Sequence, residues 1–107
     1  MSENLERMND QELGDVVGGM SRNLAAAYDV MNGMYGVGED RKRRLAAAGY
    51  DYWSVQHLVN GLAYGYDNVA KDVISGKYGN NQERIIALRN AGYDPYLVQD
   101  IVNGLLA

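Results

Sequence analysis

Apolar residues recur along this chain at intervals of three and four. Val55, Leu58, Val59 and Leu62 stand at i, i+3, i+4 and i+7, and Val98, Ile101, Val102 and Leu105 repeat that spacing further on. Such spacing lines up one face of an amphipathic helix. Each of these helices follows an aspartate, Asp51 or Asp94, a residue that accepts hydrogen bonds from the free N–H groups of a helix start. Pro95, directly after Asp94, sits where a missing N–H costs nothing. Upstream, Ala26 and Val30, like Val69 and Val73, are four apart and share a face. They predict helices over roughly 23–32 and 67–75, each closed by a glycine, Gly33 or Gly76, in the left-handed position. Between them, helices are predicted over roughly 39–48 and 81–91, closed by Gly49 and Gly92. Strand signals are weak throughout, so the expected class is all-α.

The pattern is written twice. With an offset of 43, residues 25–63 and 68–106 are identical at about 18 of 39 positions without a gap. Among the identities are Asp29/Asp72, Gly33/Gly76, Tyr35/Tyr78, Gly36/Gly79, Arg41/Arg84, Leu45/Leu88, Gly49/Gly92, Tyr50/Tyr93, Gln56/Gln99 and Asn60/Asn103. A fixed offset of this length marks a duplicated supersecondary unit. The expected architecture is two tandem three-helix bundles, residues 20–63 and 64–107, joined by the short "AYGYDN", with an additional N-terminal helical segment over 1–19. In this reading the repeated "AGYD" is a helix stop followed at once by a helix start.

Composition narrows the function. The chain of 107 residues has no cysteine and a net charge of −4, so disulfides and cysteine-based metal sites are excluded. A nucleic-acid footprint is not expected, because the basic run "EDRKRR" (39–44) occurs in one unit only and reads as a solvated helix face. No apolar run approaches the roughly 18 residues of a membrane span. Tyrosine occurs nine times and phenylalanine not at all, which suits half-wet surfaces.

The stretch "VISGKYGNNQERIIALRNAGYDPYLVQDIVNGLL" resembles the cell-wall-binding repeat known as CW-seven, first recognised at the C-terminus of certain phage lysozymes. The family pattern is a helix ending in Gly-Lys-(Trp/Tyr)-Gly-Asn, an Arg-bearing helix, Ala-Gly-Tyr-Asp, then Val-Gln and Val-Asn-x-Leu. The first unit departs from it at Met34 and Val37. The resemblance implies a three-helix bundle per repeat and non-catalytic binding of bacterial peptidoglycan, with muropeptides as the ligand class. It implies no metal and no cofactor.

A muropeptide presents sugar faces, hydroxyls, amides and carboxylates. Tyrosine stacks on the first, amide side chains pair with the second and third, and arginine grips a carboxylate with two parallel hydrogen bonds. Each unit carries such a set: Tyr35, Arg41, Tyr50, Gln56 and Asn60, and again Tyr78, Arg84, Tyr93, Gln99 and Asn103. Structural roles compete at several of these positions. Tyr50 and Tyr93 follow a capping glycine and fit a staple between loop and core as well as a binding role. Arg41 and Arg84 fit an ion pair, for instance with Asp29 and Asp72. Asn60 and Asn103 fit caps at the end of the third helix. Tyr35 and Tyr78, in a glycine-rich loop, favour ligand contact. Catalysis finds little to work with. The one histidine, His57, is matched by Asp100 in the second unit, no serine has a nucleophile context, and "GMYGVG" lacks the strand and Lys-Ser/Thr of a phosphate loop.

The first 19 residues stand apart. They carry one arginine and five acids, so the whole net charge of the protein resides there. "NLERMNDQELGDVVGG" resembles the double-glycine leader of bacteriocin and peptide-pheromone precursors, with Leu5, Met8, Leu13 and Val16 on one broad helical face. That resemblance implies export by a peptidase-containing ABC transporter, cleavage after Gly18-Gly19, and a secreted or wall-associated mature chain. The alternative to a leader is an acidic helix packed on the repeats. The leading functional expectation is an exported wall-binding protein. The alternatives are a bacteriocin-like antagonist addressed to a rival's wall, and the wall-targeting partner of a separate hydrolase.

Overall fold

A helix stops cleanly when its last carbonyls find donors, and in this protein glycine arranges that. In the computed structural model, which describes residues 16–17 and 20–107, Gly49 and Gly92 adopt φ of +91° and +93°. Their N–H groups bond Ala46 O at 3.0 Å and Arg89 O at 2.9 Å, while Tyr50 and Tyr93 N–H bond Leu45 O and Leu88 O, both at 2.9 Å. This is the Schellman pair of bonds. A side chain at either glycine would strain the left-handed backbone. The next residue then starts a new helix. Asp51 Oδ2 accepts from Ser54 N at 3.0 Å, and Asp94 Oδ1 accepts from Tyr96 and Leu97 N–H. The "AGYD" tetrapeptide therefore builds one complete corner, as expected from the sequence.

Six helices result. The first unit holds α1 (Arg22–Met31), α2 (Gly38–Ala47) and α3 (Tyr52–Ala63), and the second holds α4 (Tyr66–Ile74), α5 (Asn81–Asn90) and α6 (Pro95–Leu106). The all-α class and the helix order agree with the sequence reading, most boundaries falling one residue earlier. Two short strands, β1 (Val16–Val17) and β2 (Met20–Ser21), precede α1 and pair antiparallel, Val17 opposite Met20. The helix expected over 1–19 thus does not extend through Val16 and Val17, which are extended. β-Branched valines beside a Gly-Gly dipeptide favour strand over helix, and Gly-Gly between two short apolar stretches is also a hairpin signal. The remainder of that segment, with Leu5, Met8, Leu13 and Gly18-Gly19, lies outside the described residues.

Within each unit the first helix packs along the third, α1 on α3 and α4 on α6. Leu24, Ala26, Ala27 and Val30 meet Val55, Leu58, Val59 and Leu62, and Val69, Ala70 and Val73 meet Leu97, Val98, Ile101 and Val102, all buried. Leu105, expected in this set, is only half buried, while its neighbour Gly104 in the same last turn of α6 is the residue that packs on Leu24 and Ser21. The middle helices are lightly held. Leu45 is the one buried residue of α2, and Leu88 that of α5.

The two units join through their third helices. Gly61 of α3 lies so close to α6 that a Cβ there would stand 2.8 Å from Ile101 Cδ1 and 3.2 Å from Leu97 Cγ. Its repeat counterpart Gly104 faces Leu24, where a Cβ would come within 3.1 Å of Leu24 Cβ and of Ser21 Oγ. His57 and Asp100 occupy the same position in the two units, and they touch each other, Nε2 to Oδ2 at 2.9 Å. Equivalent residues meet only where two copies face one another about a local two-fold-like axis. Identical residues there would confront themselves, so the one histidine opposite an aspartate turns a self-contact into a complementary pair. Both side chains are about half exposed, and the pair contributes little to stability.

Two outcomes follow. Gly61→Val and Gly104→Val should each destabilise the fold by about 1–3 kcal/mol through overpacking, read as a lower urea midpoint. The second concerns Asp51, whose carboxyl is held below its ordinary pKa by hydrogen bonds from the Ser54 hydroxyl and Ser54 N–H. Its cap is fully effective above the unfolded carboxylate value of about 3.9 and is lost as pH falls through the lower folded value. Asp51→Asn keeps an acceptor without that titration, so its melting temperature should fall less than that of the parent between pH 5 and acid conditions of about pH 2.

Candidate functional site

The corner sets α2 against the start of α3, and α5 against the start of α6. Across each of these seams runs the same chain of hydrogen bonds. In the first unit Arg41 Nε donates to Gly36 O at 3.1 Å, an Arg41 terminal nitrogen donates to Gln56 Oε1 at 3.1 Å, and Gln56 Nε2 donates to Asn60 Oδ1 at 2.9 Å. In the second, Arg84 Nε donates to Gly79 O at 3.2 Å, its terminal nitrogen to Gln99 Oε1 at 3.0 Å, and Gln99 Nε2 to Asn103 Oδ1 at 3.0 Å. Three of the five side chains expected in each site are thereby joined in a line running from loop to third helix.

Glycine makes the loop end of this line possible. Gly36 and Gly79 have φ of +70° and +77°. A Cβ on Gly36 would fall 2.7 Å from Asp40 Oδ2, and one on Gly79 2.9 Å from Glu83 Oε1. Those carboxylate ends can swing aside, so it is the left-handed backbone, which glycine adopts without strain, that turns the loop carbonyl toward the guanidinium.

The anticipated ion pair of Arg41 with Asp29, and of Arg84 with Asp72, does not form. Asp72 lies 3.7 Å from Lys77 instead, and among the described residues no carboxylate is within ion-pair distance of Arg41 or Arg84. Each guanidinium has five N–H donors and uses two of them in the line just described. A half-buried cation whose partners among the described residues are all neutral is electrostatically suited to an incoming carboxylate. Asn60 and Asn103 do not cap the third helix: their amide oxygens are taken by Gln56 and Gln99, and both side chains are exposed.

The tyrosines sit elsewhere. Tyr50 is half buried at the corner, edge-on to Tyr35 with centroids 6.4 Å apart and under the Arg22 guanidinium at 4.3 Å. Arg22 also donates to Ala48 O, so it clasps the corner from α1. In the second unit Tyr66 does this work: its ring is edge-on to Tyr93 at 5.4 Å and its hydroxyl accepts from Asp94 N–H at 3.1 Å. Tyr50 and Tyr93 are thus stapled to core and corner. The Tyr35 hydroxyl is pushed above its ordinary pKa, first by burial and then by Tyr50 and Asp29, against the lowering effect of Arg22. It stays protonated at neutral pH. Tyr78 packs half buried against the core.

In the second unit the Arg84–Gln99 pair opens onto a groove of about 320 Å³ between α5 and α6, lined also by Asn81, Ile85, Leu88, Pro95 and Tyr96. Tyr96 is 60% exposed, and Arg89 lies 5.8 Å from its ring centroid. Asn81 holds φ of +52°, as Gly38 holds +56° at the same repeat position. The sequence reading missed this wall. Trp53 and Tyr96 are aromatic at the same position of both copies, and that conservative match was the available signal; an identity comparison passes over it. In the first unit the corresponding wall is Lys42, Tyr52 and Trp53. Tyr52 and Trp53 are edge-on with centroids 4.8 Å apart, and Lys42 Nζ lies 5.5 and 5.4 Å from their rings.

Among the described residues no three histidine, aspartate or glutamate side chains are grouped to hold a metal, and no helix is long and apolar enough to cross a membrane.

A comparison with curated proteins finds no match to this chain. The family model of the CW_7 repeat matches twice, at residues 25–62 and 67–106. Each match spans one set of three helices, from the first helix through the corner to the close-packed glycine of the third. With both repeats matched over most of its length, the chain belongs to the CW_7 repeat family of cell-wall-binding sequences.

Proposed function

We propose that this protein binds bacterial peptidoglycan without catalysis, and that the Arg84–Gln99–Asn103 line and its first-unit counterpart take the carboxylate and amide groups of a muropeptide. The observation that carries this reading is the pair of half-buried arginines, each fixed by a loop carbonyl and a glutamine and lacking a carboxylate partner among the described residues. A stem-peptide carboxylate supplies what the guanidinium lacks, the asparagine amide meets an N-acetyl or peptide group, and Tyr96 offers a ring face to a sugar. Tyr35, Tyr50, Tyr78 and Tyr93 serve by bracing the corner and loop from which the arginine line hangs. Two such units in one chain raise the effective concentration of the second site once the first is engaged on a polymeric wall.

We further propose export through a peptidase-containing ABC transporter, with cleavage after Gly19. The support is the acidic, amphipathic pattern of residues 1–19 and their Gly-Gly end. Cleavage there leaves Met20 and Ser21, and Met20 packs against the core while Ser21 caps α1, its Oγ accepting from Leu24 N at 3.1 Å. The mature chain would keep both repeats and be near neutral.

Binding is tested by pelleting the protein with purified sacculi, where it should sediment with the wall. Recovery in the supernatant across several wall types would end the reading. Gln99→Glu then probes the mechanism. It places a carboxylate on Arg84 from within, so wall-fragment affinity should fall by roughly tenfold or more while the melting temperature holds or rises. Unchanged affinity would remove Arg84 from the contact. Export is tested by mass spectrometry of culture medium from the producing cell: a species beginning at Met20 is expected, and one beginning at Met1 would eliminate the cleavage.

A further inference from the structure

His57 and Asp100 meet beside a pocket that neither repeat builds alone. It has a volume of about 310 Å³ and lies where α1, α3 and α6 converge. The first repeat supplies Asn23, Ser54, His57 and Leu58, and the second supplies Asp100, Asn103 and Gly104. Repeat-equivalent positions show why there is room. Gly61 is covered by α6, where a Cβ would stand 2.8 Å from Ile101 Cδ1 and 3.2 Å from Leu97 Cγ. With the offset of 43, the counterparts of Gly61, Leu97 and Ile101 are Gly104, Ser54 and Leu58, and these line the pocket. A serine side chain is shorter than a leucine, and the Ser54 hydroxyl is drawn back to Asp51 Oδ2 at 2.7 Å.

The lining sets the ligand chemistry. Leu58 and Gly104 are buried and apolar, whereas Asn23, Ser54 and Asn103 offer both donors and acceptors. The carboxylate of Asp100 holds His57 Nε2 at 2.9 Å through one oxygen and keeps the other for a ligand donor. No lysine or arginine is among the described lining residues, so an anion finds no counter-charge. A neutral ring with hydroxyls at its edge and C–H groups on its face suits such a lining, and a hydroxyl donated to Asp100 makes a charge-assisted bond. The volume is at the low end of small-molecule sites, roughly 300–1,000 Å³, which favours one ring over a longer chain. Asn103 ties the pocket to the second arginine line: its Oδ1 accepts from Gln99 at 3.0 Å, its amide donors are left over, and Gln99 stands about 6 Å along α6 toward Arg84.

We propose that this seam pocket is a neutral-sugar subsite assembled from both repeats, taking a ring of the glycan strand while the attached peptide is held on the Arg84 line, with Asn103 shared between them. The proposal rests on the wall-binding reading above and adds to the two arginine lines a contact that exists only because the repeats are joined through α3 and α6.

Two probes separate the parts by charge. Muramyl dipeptide carries a carboxylate, and tri-N-acetylchitotriose, a trimer of N-acetylglucosamine, carries none. His57 is the sole histidine, so its ring C–H resonances report on the seam without ambiguity. In NMR titrations of the full-length protein, chitotriose should shift the His57 ring and the Asn23 and Asn103 side-chain amides to saturation and leave the Arg41 and Arg84 Nε–H signals in place. Muramyl dipeptide should move those arginine signals. Ser54→Leu, which installs the residue of the other repeat, should abolish the chitotriose shifts and leave muramyl dipeptide affinity unchanged. Asn23→Ala, at an exposed position of α1, should weaken chitotriose roughly fivefold without lowering the melting temperature. Chitotriose that leaves His57 unmoved, that shifts only the arginine lines, or that binds both variants as tightly as the parent would overturn the subsite while leaving wall binding intact. Muramyl dipeptide without effect on either arginine would strike the wall-ligand reading, and the placement of the strand with it.

Discussion

The corner between the second and third helices is the constraint on which the rest of this structure depends. Gly49 and Gly92 end one helix in the left-handed conformation, and Asp51 and Asp94 begin the next two residues later. Between them Tyr50 and Tyr93 bond back to Leu45 and Leu88 through their N–H groups. Such a hydrophobic residue just past a Schellman turn commonly packs on the helix it has left. This matters because α2 and α5 bury one residue each. Without a rigid corner, one leucine would not fix the orientation of a ten-residue helix, and the arginine it carries would not reach the glutamine fifteen residues on.

The arginine line is in turn part of the fold. Its Nε holds the glycine loop and its terminal nitrogen crosses to the third helix, so the side chains that present charge also brace the seam. Neutral partners can do this bracing without cancelling the charge, which an aspartate would not allow. A scaffold that used Asp29 or Asp72 for the same purpose would leave the guanidinium satisfied and chemically silent.

Duplication poses a second problem, the joining of two like units. The solution uses glycine again, for proximity in place of backbone angle. Gly61 and Gly104 let side chains of a neighbouring helix approach to distances a Cβ would forbid, and close helix approach maximises dispersion contacts. Where the two copies meet at an equivalent position, His57 and Asp100 have diverged. That divergence is intelligible only from the contact between them; in the sequence it is one mismatch among many.

Much of the architecture was legible in the sequence because it is set by local rules. The spacing of Val55, Leu58, Val59 and Leu62, the glycine stops and the aspartate starts each act within a few residues, and the repeat let each signal be read twice. Val16 and Val17 escaped that reading because a two-residue strand competes with helix on nearly equal local terms, and Leu105 because its burial depends on what covers the end of α6. The site was legible only as a set of residue types. Arg41 and Arg84 had several chemically reasonable partners, and which one each takes is decided by the angle between helices that are distant in sequence. The groove wall of Ile85, Pro95 and Tyr96 exists only once α5 and α6 are side by side. By itself the sequence determined where helices begin and end, that there are two copies of a unit, and which side chains carry charge and ring faces, because those are properties of short segments. Tertiary structure alone decided which of those side chains meet, which charge stands beside neutral partners among the described residues, and which residues line the groove between α5 and α6, because these depend on distances across seams that no local rule fixes.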